Sequence, residues 1–315
     1  MDKKVKGKII NGVGGLYTVR LLDSEALPAG SRVKCRARGS FRHERLTPLP
    51  GDNVTLVCSE GDGKDAYSFV IDSIDNRRNA LIRPPMANLD YLFITMASAS
   101  PSPSLATVDK LIAIAEFNEI EPVVVITKNE LSPSVADEIL ASYRRCGFTC
   151  FSVSAVEGIG IEAIDSFIKE NMSGKTAAFA GASGIGKSTL LNKLFPHLSL
   201  TTSEISRKIE RGRHTTREVE LFCLSEDIDC GYIADTPGFS MLDFERFDFF
   251  SKDDLPLTFR EFQPLIGSCK YTKCSHTKEE GCAIVEAVKS GDIPLSRHNS
   301  YVELFDTLKA KKKWN

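Results

Sequence analysis

No stretch of these 315 residues approaches the run of roughly 18 apolar residues that a membrane span needs. The opening MDKKVKGKII carries charge but no apolar segment of the secretory kind, so export is not expected. Neither charge is in excess: 40 Lys and Arg stand against 42 Asp and Glu, a net of −2, which excludes a uniformly basic nucleic-acid binder. The nine cysteines are odd in number, and without a secretory signal they are expected to be free or metal-bound in the cytoplasm.

What is present divides by composition. Residues 1–50 hold 11 Lys and Arg against 4 acids, and Lys309, Lys311, Lys312 and Lys313 cluster near the other end. Basic ends around a near-neutral middle fit an RNA or DNA partner, and fit a solvated basic face equally well. Residues 1–75 alternate short β-type runs (KVKGKIINGV, LYTVRLL, SRVKCRARG, NVTLVCSE, YSFVIDSI) with turn residues, the pattern of a five-stranded barrel such as an OB-fold. An SH3-like barrel would leave much the same trace. Residues 76–245 switch to apolar strands alternating with amphipathic helices, which predicts an α/β parallel sheet. Residues 246–315 form a third, mainly helical segment.

In the α/β segment, GASGIGKST at 181–189 has the form G-x-x-x-x-G-K-[ST] between the strand TAAFA and the helix KSTLLNKLF. Backbone amides of Gly181, Ala182, Ser183, Gly184, Ile185 and Gly186 can cradle phosphate, with the helix N-terminus behind them. Lys187 is expected to reach the β- and γ-phosphates, Ser188 to hold Mg²⁺, and Thr189 to complete the loop. DTPG at 235–238 follows an apolar strand, so Asp235 can contact Mg²⁺ through water and Gly238 can offer its amide to the γ-phosphate. Between these lies ERGRHTTREVE, whose Thr215 or Thr216 could close on Mg²⁺ and the γ-phosphate, Thr216 being the expected ligand.

Nothing after residue 238 supplies base recognition. Upstream, an apolar strand ends in Thr127, Lys128, Asn129 and Glu130, of the [N/T]-K-x-D type with Glu in the acid's place. After another helix and strand comes SVSA, whose Ser154 and Ala155 have the form of the loop that meets the guanine carbonyl. Base-binding elements therefore precede phosphate-binding ones, the order of a circular permutation. This order, behind a small β-barrel, resembles the circularly permuted, small-ribosomal-subunit-dependent GTPases of bacteria along essentially the whole chain. The departure is T-K-N-E in place of N-K-x-D.

The C-terminal segment contains CKYTKCSHTKEEGC, which sets Cys269, Cys274, His276 and Cys282 in a C-x4-C-x-H-x5-C spacing. Three thiolates and an imidazole make a closed tetrahedral set, the structural kind for zinc. The resembled family carries the same spacing. The remaining cysteines read as small core residues. Where many GTPases place a water-orienting Gln after D-x-x-G, this chain has Phe239, so His214, two residues before Thr216, is the candidate to orient the attacking water. Lys187, Thr216 and His214 are thus expected to carry turnover.

The resemblance implies a cytoplasmic, monomeric GTPase with one structural Zn²⁺ and with Mg²⁺ bound alongside GTP. It also implies binding to the small ribosomal subunit and its rRNA, action in late subunit maturation, stimulation by the subunit, and no membrane association. The residues alone leave open an RNA-binding protein with nucleotide as a structural ligand, or an ATPase.

Overall fold

In the computed structural model the described residues are 3–24, 27–43, 46–60, 67–82, 84–198, 219–225, 227, 230–235 and 250–310. Two compact units are present. The first comprises Met1–Tyr91, Ser166–Phe179 and Phe195–Phe239; the second comprises Leu92–Asp165, Ala180–Leu194 and Ser240–Asn315.

The first unit contains the barrel. Its strands are β1 (Lys3–Val13), β2 (Leu16–Asp23), β3 (Arg32–Ala37), β4 (Asn53–Glu60) and β5 (Tyr67–Ile74), with a helical turn α1 (Ser40–His43) after β3. Alternation of polar and apolar residues turns Val5, Ile9, Val19, Leu21, Val54, Leu56 and Ile71 into one core. The ladders run β1–β2, β2–β3, β3–β5, β5–β4 and β4–β1, and only β3–β5 is parallel. That closure is the five-stranded Greek-key arrangement of the OB-fold, which settles the choice between the two barrels. Gly7 permits the tight crossing of β1 over its neighbours: a Cβ there would stand 2.5 Å from Val19 Cγ1 and 2.9 Å from Arg20 O.

A short hairpin follows, β6 (Ala80–Ile82) with β7 (Pro85–Ala87). The same unit holds β11 (Thr176–Ala180) as far as Phe179, β12 (Glu220–Cys223) and β13 (Tyr232–Asp235); β11 and β13 are parallel, and β12 runs antiparallel to β13. Strand β12, absent from the sequence reading, also pairs with the barrel, Asn11 opposite Glu220.

The second unit places β8 (Tyr91–Ala97), β9 (Glu121–Thr127) and β10 (Thr149–Ser152) side by side, with β9 and β10 parallel in the register Thr149–Val123 to Ser152–Ile126. Helices α2 (Leu105–Phe117) and α3 (Pro133–Arg145) make the crossovers, and α4 (Ile161–Asn171) leads out of this region. Helix α5 (Lys187–Leu194) follows the glycine-rich loop, and α6 (Ala283–Ser290) and α7 (Leu295–Ala310) lie near the C-terminus.

Helix α2 buries Val108, Leu111, Ile112, Ala113, Ile114 and Ala115, and among them the charged Asp109. Asp109 Oδ1 accepts hydrogen bonds from Arg297 of α7 at 2.5 Å and from the Tyr143 hydroxyl at 2.7 Å. Arg297, 1% exposed, also donates to Glu261 at 2.6 Å and lies over the rings of Tyr143, Phe148 and Phe259. A buried cation is tolerable only with such partners. Among the described residues no helix is long and apolar enough to cross a membrane.

Candidate nucleotide and metal sites

Strand β11 is wholly buried and delivers the chain into the loop 181–186. Gly181, Gly184 and Gly186 have φ of +147°, +78° and +92°, a backbone path that L side chains resist. At Gly181 a Cβ would collide with Thr95 O and Oγ1 and stand 2.5 Å from Ile185 Cδ1. Ile185 is buried, and the Gly186 carbonyl accepts the first α-helical bond, from Leu190 N at 3.0 Å. The loop thus ends at the N-terminus of α5, where amide N–H groups without helical partners favour an anion. Lys187 Nζ donates to Gly181 O at 3.2 Å, which holds its ammonium across the loop.

The upstream segment lies against this loop. Thr127 is buried at the end of β9, and its hydroxyl stands 2.5 Å from Ile185 O and 3.1 Å from Met96 O. Lys128 adopts a left-handed turn (φ 54°), and its Nζ donates to Gly184 O at 2.7 Å and Ser100 O at 2.5 Å. Its stem passes Gly186, where a Cβ would lie 3.8 Å from Lys128 Cγ and Cε. Residues 58 apart in sequence, Thr127 and Ile185, are therefore in direct contact.

Beyond Lys128 opens a cavity of about 280 Å³ lined by Asn129, Glu130, Pro133, Ala136, Asp137, Ser152, Glu157 and Ile159. Asn129 is held by its amide to Val153 O at 3.3 Å and by Nδ2 to Ser152 Oγ at 3.2 Å. Asn129 Oδ1 and Glu130 Oε2 are buried and have no hydrogen-bond partner. Such acceptors are costly unless something supplies donors. Ser154 is fully buried; its hydroxyl accepts from Glu157 N at 3.1 Å, which shapes the turn that presents Ala155. Ser98, whose hydroxyl donates to Lys128 O at 2.6 Å, and Thr95, which donates to Ala180 O at 2.6 Å, were not legible as supports, because neither belongs to a motif.

Asp235 ends β13, with Glu220 as its ladder partner. His214, Thr216 and Gly238 lie outside the described residues, as does the Asp235 side chain.

In the C-terminal segment the ligand atoms of Cys269, Cys274, His276 and Cys282 all lie within 4.8 Å of one another. Cys269 and Cys282 Sγ are 3.8 Å apart, and each is 3.5 Å from His276 Nδ1. Ligands tetrahedrally placed at zinc distances of ~2.3 Å for sulfur and ~2.1 Å for nitrogen are separated by ~3.6–3.8 Å, so the donors present fit that ion. Burial pushes the Cys274 thiol up to about 12 and raises that of Cys282, so a cation is needed to hold both as thiolates. Burial also lowers the His276 pKa, which leaves the imidazole neutral and able to ligate.

The surrounding shell fixes the loop. His276 itself sits at φ +58°. His298 Nε2 is 2.8 Å from His276 O, and the Tyr301 hydroxyl donates to Ser275 O at 2.8 Å. The Glu279 carboxylate accepts from the amides of Ser275 at 2.8 Å, Thr277 at 3.0 Å and Lys278 at 3.1 Å, and from the Ser275 hydroxyl. Burial alone would raise its pKa; these hydrogen bonds overcome that and hold it at about 2. No sequence pattern pointed to Glu279, His298 or Tyr301, which act on the backbone of the ligand loop.

Comparison with known proteins agrees with this geometry. Residues 74–245 match the RsgA GTPase family, and residues 6–64 match the RsgA N-terminal domain. A protein of Alkaliphilus metalliredigens called small ribosomal subunit biogenesis GTPase RsgA is 36% identical over 98% of this chain and 99% of its own length. One of the same name from Bacillus pumilus is 39% identical over 98% of each. The crystal structure of YjeQ from Thermotoga maritima superposes with a TM-score of 0.79 at 30% identity, covering 98% of this chain and 100% of that one. That of YloQ, described as a circularly permuted GTPase, superposes with 0.75 at 33% identity, covering 99% and 98%.

Proposed function

The chain belongs to the RsgA family of GTPases, and on that premise we propose that it hydrolyses GTP to GDP and phosphate while acting in maturation of the small ribosomal subunit. One observation carries the nucleotide reading: the segment Thr127–Glu130 lies against the phosphate loop that follows it in the chain. That contact restores in space the order of base and phosphate elements that the sequence inverts.

The residues take the following roles. Amides of Gly181–Ser188 hold the α- and β-phosphates, and Lys187 meets the β- and γ-phosphates. The stem of Lys128 supports the nucleotide from beneath. Glu130 and Asn129 are the acceptors for base donors, and Ser154 shapes the turn from which Ala155 offers its backbone. Ser188 and Thr216 would hold magnesium, which would supply charge neutralisation for the transferred phosphoryl group. Asp235 assists that ion through water, Gly238 binds the γ-phosphate, and His214 orients the attacking water when its loop closes on the subunit. Cys269, Cys274, His276 and Cys282 would hold zinc in a structural role. The working division is barrel 1–75, permuted GTPase domain 76–245 and zinc domain 246–315. The barrel and zinc domain contact rRNA. The protein acts as a cytoplasmic monomer.

Turnover of GTP and of ATP, each with and without purified small subunits, tests this reading. GTP turnover accelerated by the subunit is the expected result. Equal use of ATP would make the chain a general nucleotidase, and binding without turnover would make the nucleotide a structural ligand.

A further inference from the structure

Two cysteines outside both sites stand in a reactive arrangement. Sequence alone makes Cys223 and Cys230 core residues, yet Cys223 is only partly buried. Cys223 ends β12 with Tyr232 as its ladder partner, and Cys230 lies two residues before Tyr232, so both side chains share one face of the β12–β13 hairpin. The hairpin turn is held by Leu224 N to Gly231 O at 2.8 Å and Cys230 N to Asp227 O at 3.1 Å. Cys223 and Cys230 are thus diagonal neighbours across the hairpin, a placement within reach of side-chain interaction, and Arg32 is the ladder partner of Arg20. Arg20 is anchored there, donating to Tyr232 Oη at 3.2 Å and Asp227 O at 2.8 Å.

We propose that Cys223 and Cys230 are a hydroperoxide-sensing dithiol, Cys223 being the attacking thiol and Cys230 the resolving one. The hydrogen bond from Cys230 favours the Cys223 thiolate most, burial opposes it, and Arg20 and Arg32 add to the lowering of its pKa. The same hydrogen bond and burial raise that of Cys230. Other cysteines lack this setting: burial pushes the thiols of Cys35, Cys146 and Cys150 up to about 12. In the first step the Cys223 thiolate attacks one oxygen of the peroxide. The O–O bond breaks, the sulfur becomes a sulfenic acid, and hydroxide (or an alkoxide) leaves and takes up a proton. In the second step the Cys230 sulfur attacks the Cys223 sulfur. The S–O bond breaks, hydroxide leaves with the Cys230 proton as water, and a disulfide remains. Two electrons pass from the dithiol to the peroxide, and a thiol reductant reverses the change.

The test uses the reduced, zinc-loaded, full-length protein. Timed alkylation with iodoacetamide at neutral pH, read by peptide mass spectrometry, should label Cys223 at least about tenfold faster than Cys35, Cys146 or Cys150. Hydrogen peroxide should then yield a linked Cys223–Cys230 peptide and a chain about 2 Da lighter, restored by dithiothreitol. In Cys230→Ser protein, peroxide should stop at a Cys223 sulfenic acid trapped by dimedone. Alkylation of wild-type Cys223 no faster than that of Cys35, or no linked peptide after peroxide, overturns the proposal. The wild-type measurements decide this even if the variant fails to fold.

Discussion

Replacing Glu130 by Gln tests its proposed role in base recognition. The carboxylate has one buried oxygen without a donor and borders a cavity of about 280 Å³. Guanine presents two adjacent donors, N1–H and the exocyclic amine, which suit two carboxylate oxygens. Gln preserves the shape but turns one acceptor into an N–H₂ donor, which then faces the exocyclic amine. Loss of a hydrogen bond to a charged group is worth about 1.5–3 kcal/mol, and a donor left facing a donor adds to it. A net loss of about 2–3 kcal/mol corresponds to GDP binding weaker by about 30- to 150-fold. Xanthine carries a carbonyl where guanine carries the amine, so XDP affinity should rise in the same variant. Adenine offers an unprotonated N1 to the carboxylate, so ADP binding should change little or improve. Displacement of a fluorescent GDP analogue by GDP, XDP and ADP measures all three. If both Glu130→Gln and Glu130→Ala bind GDP within about threefold of the parent, a change of only ~0.7 kcal/mol, then Glu130 does not read the base.

Thr127→Val keeps the shape of the strand end but removes the donor to Ile185 O, and should weaken GDP binding about five- to tenfold, about 1–1.4 kcal/mol, while Thr127→Ser restores it. The same displacement titration checks this, and an unaffected Val variant would separate the upstream segment from the phosphate loop. Metal analysis should find close to one zinc per chain, and Cys274→Ala or Cys282→Ala should lose it and lower the melting transition; full zinc content in both variants would eliminate the assigned site. Arg297→Ala leaves Asp109 and Glu261 buried without their cation, a cost of about 3–5 kcal/mol. Hydrogen exchange in α2 and α7 should then accelerate by about a hundredfold or more, and acceleration below about fivefold would mean the network contributes little. His214→Ala should bind GTP and the small subunit normally yet lose subunit-stimulated turnover; stimulated rates within about twofold of the parent, ~0.4 kcal/mol, would remove His214 from the mechanism.

Features encoded over a few residues are legible in the amino-acid sequence alone. The five barrel strands appear where alternation and turn residues place them, because a half-buried strand must repeat every two residues. The glycine-rich loop 181–186 is visible because close backbone approach and positive φ demand glycine at fixed places, as the crowding at Gly181 illustrates. The cluster of Cys269, Cys274, His276 and Cys282, which could hold a metal, is visible because four donors must come from a short loop, and few residue types can ligate. The order of the GTPase elements was readable for the same reason, each being a compact signature.

The tertiary structure decided what depends on residues distant in sequence. Whether the five strands close as an OB-fold rests on β3 pairing with β5 in parallel, and no property of either strand alone encodes that partner. Strand β12 is only four residues long and too brief for its period to show; it exists because β13 and β1 supply its hydrogen bonds. Asp109, Arg297 and Glu261 look like surface charges on helices and turns, yet 188 residues separate the first two, and only packing shows that they neutralise one another. The Thr127 hydroxyl likewise turned to the Ile185 carbonyl and tied two signatures together. A short-range pattern records what a segment needs, whereas the partner that meets the need is chosen when the whole chain competes for burial and hydrogen bonds.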